Sequence, residues 1–455
     1  MSRWVTRSAR ECSTEQAGIR IAVTADFVPG GELVDEHCMT SETATPGIYQ
    51  PDLHAYEFEN DPVPTLNRLR AEDPVHWSRH GFWFLTRYKH VSIVLKDAGR
   101  FSSAAAGWGE SNPLARKEQV AGRSQSEQSL SRSLANSFNQ MDAPDHTRIR
   151  ALVQAAFSRR AIEERKARIV EVINALLDAA MAKETFDLVA DFAFHIPIIV
   201  ASEIIGIPSE DRDKFRDAFA RAAVLMAPKR SEEAWSRGVA AGKWIGSYLR
   251  EAVAERRVHP RDDLISALIE QESEGNRLNE AELLSALSTI YTAAGTTTER
   301  FISSGLFLLL SHPEQWNDLK HDRALVAPAL EEILRFHHPT QSTSTNRRCT
   351  VDVEFAGKTL RAGDTVRVGL GAANRDPAVF DDPDVFNIRR RPRMPILSFG
   401  TGPHFCFGSA LARMEASLAI EATADRIPKI ALMTQRPVKD PARPDRYKEI
   451  VVRTR

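Results

Sequence analysis

Cysteine is scarce. Only four occur in 455 residues, Cys12, Cys38, Cys349 and Cys406, and no two form a C-x-x-C pair. So sparse a set cannot build a disulfide framework, and the missing pair argues against a zinc ribbon or thioredoxin-like chemistry. A reducing cytoplasm fits best. An excess of one charge is also lacking: 60 basic residues oppose 61 acidic ones. That leaves no global field for nucleic acid or an anionic membrane and confines any electrostatic partner site to a local patch. Long apolar runs are missing by inspection. FISSGLFLLL at 301–310, read as the greasiest segment, is too short to span a bilayer and follows Glu299 and Arg300 directly. Residues 1–45 hold no apolar run of the signal-peptide or anchor kind. Neither membrane insertion nor nucleic-acid binding is expected.

What is present is ordinary for a globular chain, 42% apolar and 27% charged, and long enough for a large core. Residues 1–45 are polar and show no period, so they are expected to be a poorly ordered N-terminal extension. Residues 46–455 carry no long Pro/Gly linker and no repeat, which predicts a single domain. Alternation and Gly turns in HGFWFLTRY (80–88) and TVDVEFAGKTLRAGDTVRV (350–368) predict two patches of sheet. The Ser/Gly/Gln-rich stretch from 102 to 129 reads as a mobile loop region. Helical spacing of apolar residues predicts helices over 161–182, 231–257 and 279–311, the last very long. The class is mainly α with a minor β part.

The chemistry concentrates in FGTGPHFCFG, residues 399–408. A dinucleotide fingerprint fails there, because Phe405 stands where a third glycine belongs. A nucleophilic cysteine needs a base, and His404, two residues away, points elsewhere in most backbones. A buried structural cysteine remains open for Cys406 taken alone. Its context points further. Phe399, Phe405 and Phe407 surround the sulfur with apolar bulk, and the glycines allow a flat partner close to the backbone. The loop runs into a helix whose positive end favours thiolate over thiol. One soft anionic ligand in an apolar collar describes a single axial ligand to haem iron.

At this point the chain resembles the cytochrome P450 superfamily. Phe399, Gly400, Gly402, His404, Cys406 and Gly408 match every fixed position of its haem loop, F-G-x-G-x-H-x-C-x-G. MDAPDHTRIRALVQAAFSRRAI (141–162), EEILR (331–335), NRRCTVDVEFAG (346–357) and ANRDPAVFDDPDVF (373–386) follow in the family's order. The resemblance implies a helix-rich triangular prism with small sheets, the haem lying between the long central helix and the cysteine loop. It implies haem b with Cys406 as axial thiolate and His146, Arg150, Arg347 and His404 as propionate donors. Glu332 and Arg335 become a structural pair, joined by one of Arg389, Arg390 and Arg391. In AAGTTTER (293–300), Ala294 and Gly295 match the oxygen-binding turn and Thr298 falls on the oxygen-side threonine. Thr297 occupies the place of the usual acid, which changes the proton route; a run of Thr and Gly also suits a locally opened helical turn.

The implied activity is a monooxygenase that inserts one atom of O2 into a C–H bond of a small lipophilic substrate, for which a terpenoid or similar natural product is the leading expectation. Electrons come from an external ferredoxin and ferredoxin reductase, docking near a patch of Arg413, Arg159 and Arg160. Atypical oxidation (desaturation, ring contraction, coupling or peroxygenation) is the alternative within the class, and a non-catalytic haem sensor the alternative outside it.

Overall fold

The computed structural model describes residues 49–104, 137–157, 159–226, 231–271, 278–340, 346–440 and 443–454. The leading extension and all but the first residues of the Ser/Gly/Gln-rich loop region lie outside them.

The architecture is organised around one helix, Glu280–Ser311, 32 residues and therefore about 48 Å long. Its start is a capping box: Glu282 N–H donates to the Asn279 side chain and Asn279 N–H to the Glu282 carboxylate, each at 2.9 Å. The same carboxylate takes both ends of the Arg148 guanidinium, at 2.5 and 3.2 Å, tying the long helix to Asp145–Ala156. The second half is buried on nearly every side because it runs through the main core, with Phe301, Ile302, Leu306 and Leu309 buried beside the polar Glu299, Arg300, Ser303 and Ser304. The opened turn expected near 295–298 is not found; the helix is uninterrupted. Threonine hydroxyls close back on the carbonyls one turn earlier, Thr297 on Ala293 at 2.8 Å and Thr289 on Ser285 at 2.7 Å, without displacing the amide ladder.

Other helices depart from expectation in instructive ways. The helix expected over 161–182 is two, Arg159–Glu164 and Lys166–Met181. Between them Arg165 donates to the Asp262 carbonyl at 3.2 Å. The helix Glu232–Val258 agrees with expectation and is capped by Ser231. Leu188–Ile205, a π-helical stretch passing into α-helix, outdoes 301–310 as an apolar segment and has the length and composition of a membrane span; 61% of it is buried inside the protein against the core.

The two sheet patches expected separately are partly merged: Thr365–Val368 of the second joins the first in one sheet, while Val353–Phe355 and Lys358–Leu360 form a separate two-stranded hairpin. Val75–Ser78, Phe82–Leu85, Thr365–Val368, Arg347–Cys349 and Phe101–Ser102 lie side by side in that order. Phe82–Leu85 pairs in parallel with Thr365–Val368, Trp83 opposite Val366 and Leu85 opposite Val368. A second core, including Leu85, Val91, Phe101 and Val366, fills the space beneath it.

Behind the cysteine loop, helix Val326–Phe336 buries Glu332 and Arg335. They pair bidentately at 2.7 and 2.8 Å, and Arg390 is the arginine that joins them, its Nε 3.0 Å from Glu332 Oε2. Arg389 pairs instead with Asp318 at 3.0 Å, and Arg391 points outward.

Candidate functional site

A cavity of about 240 Å³ opens between the long helix and the cysteine loop. One wall is the loop itself, with Phe399, Gly400 and His404–Phe407. The opposite wall is a stripe of the long helix: Thr289, Ala293, Thr297, Thr298 and Phe301. His146 and Arg150 from Asp145–Ala156, Arg347 from its strand, and His338–Thr340 close the remaining sides.

The loop's shape follows from its glycines. Gly402 has φ +76°, and a side chain there would sit 2.5 Å from the Leu95 carbonyl at the end of helix Tyr88–Lys96. Only glycine satisfies both conditions. The loop then closes on itself: Gly400 N–H donates to Leu397 O at 2.8 Å and Cys406 N–H to Phe399 O at 2.9 Å. Cys406 is left on the cavity wall just before helix Ser409–Arg426. Burial pushes its thiol pKa up; the Gly408 amide, Arg150, Arg413 and the Ser409 amide pull it back down. A thiolate at this position is stabilised by any cation bound in the cavity.

The opposite property gathers at one end. His146 and His404 lie with ring centroids 4.0 Å apart. His146 is buried with its Nε2 lacking a hydrogen-bond partner. Burial, then His146, Arg347 and Arg150, push His404 down to about 3. Burial pushes Arg347 down to about 10, with Asp142 opposing. Arg150 donates to Phe405 O at 2.5 Å. Four basic groups gathered at one end of a cavity are a receptor for an anion. Among the described residues no cluster of three or more His, Cys, Asp or Glu could hold a metal by itself. A single sulfur, a flat apolar slot and a basic end fit a porphyrin-held metal carrying two carboxylates.

The expected residues are brought together with two exceptions. Ala294 and Gly295 do not line the cavity; Gly295 turns to Ile198, whose Cδ1 would lie 3.1 Å from an added Cβ. The helix phase places Ala293 and Thr297 inward instead, with Thr298, 5% exposed, beside them. Positions 289, 293, 297 and 301 repeat every four residues, and that spacing was a usable signal. Arg347 rather than Arg348 faces the cavity. The expected docking patch is reduced. Arg413 pairs with Glu331 at 2.6 Å and lies over the Phe399 ring at 4.3 Å. Arg160 pairs with Glu164 on the surface, and the side chain of Arg159 is outside the described residues. Sequence reasoning missed His338, Asn139 and Leu95, contributed by segments without a motif.

Comparison with known proteins agrees with this geometry. The cytochrome P450 family model matches residues 75–424. The biotin biosynthesis cytochrome P450 of Bacillus subtilis is 35% identical over 383 residues, covering 83% of this chain and 91% of that protein. The cytochrome P450 monooxygenase PikC of Streptomyces venezuelae is 36% identical over 401 residues, covering 86% and 89%. A solved structure of P450BioI in complex with hexadec-9Z-enoic acid ligated acyl carrier protein superposes with a TM-score of 0.76 at 32% identity, covering 88% of this chain and all of that one.

Proposed function

Since the chain belongs to the cytochrome P450 family, oxygen-incorporating oxidoreductases with a cysteine-ligated haem b, we propose that it inserts one atom of O2 into a C–H bond of an uncharged, lipophilic natural product. The observation that carries this reading is Cys406 lining a cavity whose far wall is the Thr297 stripe of the long helix. When bound, the haem supplies the oxidising chemistry; the chain supplies placement, dryness and protons.

His146, Arg150, Arg347 and His404 would hold the two propionates by charge-assisted hydrogen bonds and so orient the ring. Cys406 would be the thiolate that holds the haem iron and supplies it with electron density, tempered by the Gly408 and Ser409 amides. Thr297 Oγ1 donates to the Ala293 carbonyl, so its proton is committed and the hydroxyl serves the cavity as an acceptor. Thr298 stands beside it as the second hydroxyl. With Thr297 inward, the preceding position is Thr296, so neither register of the run places a carboxylate before the oxygen-side residue. Protons then arrive through threonine-held water or through a polar group on the substrate.

Away from the basic end the cavity wall combines Phe138, Phe301, Pro339 and Leu370 with the uncharged polar groups of Asn139, Thr289 and Thr340. That chemistry suits a hydrocarbon skeleton with a few oxygen functions, a terpenoid or a polyketide-like chain. Electrons come from an external ferredoxin and its reductase. The acid-free threonine run favours a second reading within the same class, peroxide-supported or otherwise atypical oxidation. Labelled dioxygen with a ferredoxin system separates the two. The proposal expects one labelled oxygen per product molecule and a several-fold lower product yield per NADPH in Thr297→Ala; product without label would contradict it.

A further inference from the structure

Between helix Val326–Phe336 and the cysteine loop lies a chain of largely buried polar groups to which the chemistry above assigns no role, Ser398 and His338 reaching the cavity wall. Asn374, wholly buried, accepts from Leu397 N–H at Oδ1 (2.7 Å) and donates from Nδ2 to Ser398 Oγ (2.8 Å). Ser398 Oγ donates in turn to the Leu334 carbonyl at 2.9 Å. His338, 6% exposed, brings Nε2 to 3.1 Å from the Ser398 carbonyl. The directions are forced. A backbone N–H only donates, so Asn374 turns Oδ1 to Leu397 and its NH2 to Ser398; a hydroxyl has one proton, which goes to Leu334. A buried network with every member satisfied has one arrangement, and any other leaves a polar group unpaired.

The backbone held in this way is the entry to the cysteine loop, where Leu397 O receives Gly400 N–H and Phe399 O receives Cys406 N–H. On its other side Arg300 of the long helix donates to Pro339 O at 2.7 Å, one residue from His338. We propose that Asn374, Ser398 and His338 form a clasp that positions Cys406, locking residues 397–399 to the end of helix Val326–Phe336 and to the cavity wall at Pro339. They are positioning residues: none is required to touch substrate, and each acts through the loop backbone. The inference rests on the haem-thiolate reading of that loop.

The test uses the haem-loaded full chain, reduced and treated with carbon monoxide, and follows loss of the red-displaced band of thiolate ligation in mild urea. Far-UV circular dichroism, recorded alongside, establishes that the chain is still folded. Ser398→Ala and Asn374→Asp each leave at least one buried partner unpaired and are expected to lose the band about tenfold faster than wild type. Ser398→Thr, which keeps the hydroxyl, is expected to stay within about twofold. Ile173→Val, a core change on helix Lys166–Met181, lowers general stability without hastening band loss. If Ser398→Ala behaves like Ile173→Val, or Ser398→Thr like Ser398→Ala, the clasp is overturned. Should the first two variants fail to fold, His338→Leu against His338→Gln poses the same question: faster loss in Leu alone supports the clasp, and equal rates overturn it. A wild-type protein without the band would overturn the haem-thiolate reading and this inference with it; a wild-type band with indifferent variants overturns this inference alone.

Discussion

Replacing Glu332 by glutamine removes one oxygen and one charge from a site where both are fully engaged. Oε2 accepts from Arg335 Nε at 2.7 Å and Arg390 Nε at 3.0 Å; Oε1 accepts from Arg335 at 2.8 Å and from Asn387 N–H at 2.9 Å. Glutamine keeps one acceptor and presents an NH2 group to two N–H donors. Two charge-assisted hydrogen bonds, each worth roughly 1.5–3 kcal/mol, are lost. The Arg335 side chain, 1% exposed, is left without its counter-charge, and breaking a buried pair from one side costs about 3–5 kcal/mol. The two routes agree on about 3–5 kcal/mol, a large share of the roughly 5–15 kcal/mol that holds a typical protein folded. Urea unfolding followed by far-UV circular dichroism measures it. Arg390→Met, removing one partner with a side chain 12% exposed, is expected to cost less, about 1.5–3 kcal/mol. A Glu332→Gln variant within about 1 kcal/mol of wild type would refute the reasoning, because it would mean that the buried guanidinium finds other acceptors.

Three further outcomes follow from named contacts. Gly402→Ala puts a Cβ at φ +76° and 2.5 Å from Leu95 O, so it is expected to destabilise by roughly 2 kcal/mol or more and to lower haem retention, read by haem absorbance after gel filtration. Arg148→Met breaks a partly exposed bidentate pair with Glu282, and thermal melts are expected to report about 1 kcal/mol, shrinking at high salt. His338 is pushed down to about 4 by burial from an ordinary 6.5. Below pH 6.5 the unfolded chain therefore takes up a proton that the folded one refuses, so stability present above pH 6.5 is lost as pH falls toward 4, by about 3 kcal/mol for that gap. His338→Gln is expected to flatten the urea midpoint between pH 6.5 and 4, and an unchanged slope would contradict this.

The parts of the site that could be read in advance are those where chemistry dictates the neighbours. The loop around Cys406 is one, since a thiolate ligand needs apolar cover, glycine turns and donors within a few residues. The long helix is another, because Asn279, Glu282 and the apolar run declare its start and its burial. The four-residue repeat through 289, 293, 297 and 301 was legible as a stripe, but not the direction in which the stripe faces. That direction depends on how the helix is rotated against the loop, a tertiary fact that shifts by about 100° per residue, and it leaves both Thr297 and Thr298 on the cavity wall. The choice of Arg390 among three adjacent arginines likewise depends on where the 381–385 backbone places its carbonyls. The break at Arg165 and the π-helical turn at Leu188–Ala193 answer to packing rather than propensity. Asn374 lies in the 373–386 segment but nothing in that segment marks it as a clasp residue, Ser398 and His338 carry no motif, and the bonds joining the three span 24 and 60 residues.

The central claim is a bond from Cys406 to haem iron. Carbon monoxide added to the reduced, folded protein measures it directly. The red-displaced band of thiolate coordination is expected in the wild type and is expected to vanish in Cys406→Ala. A wild type without that band, or a Cys406→Ala variant that keeps it, would contradict the account.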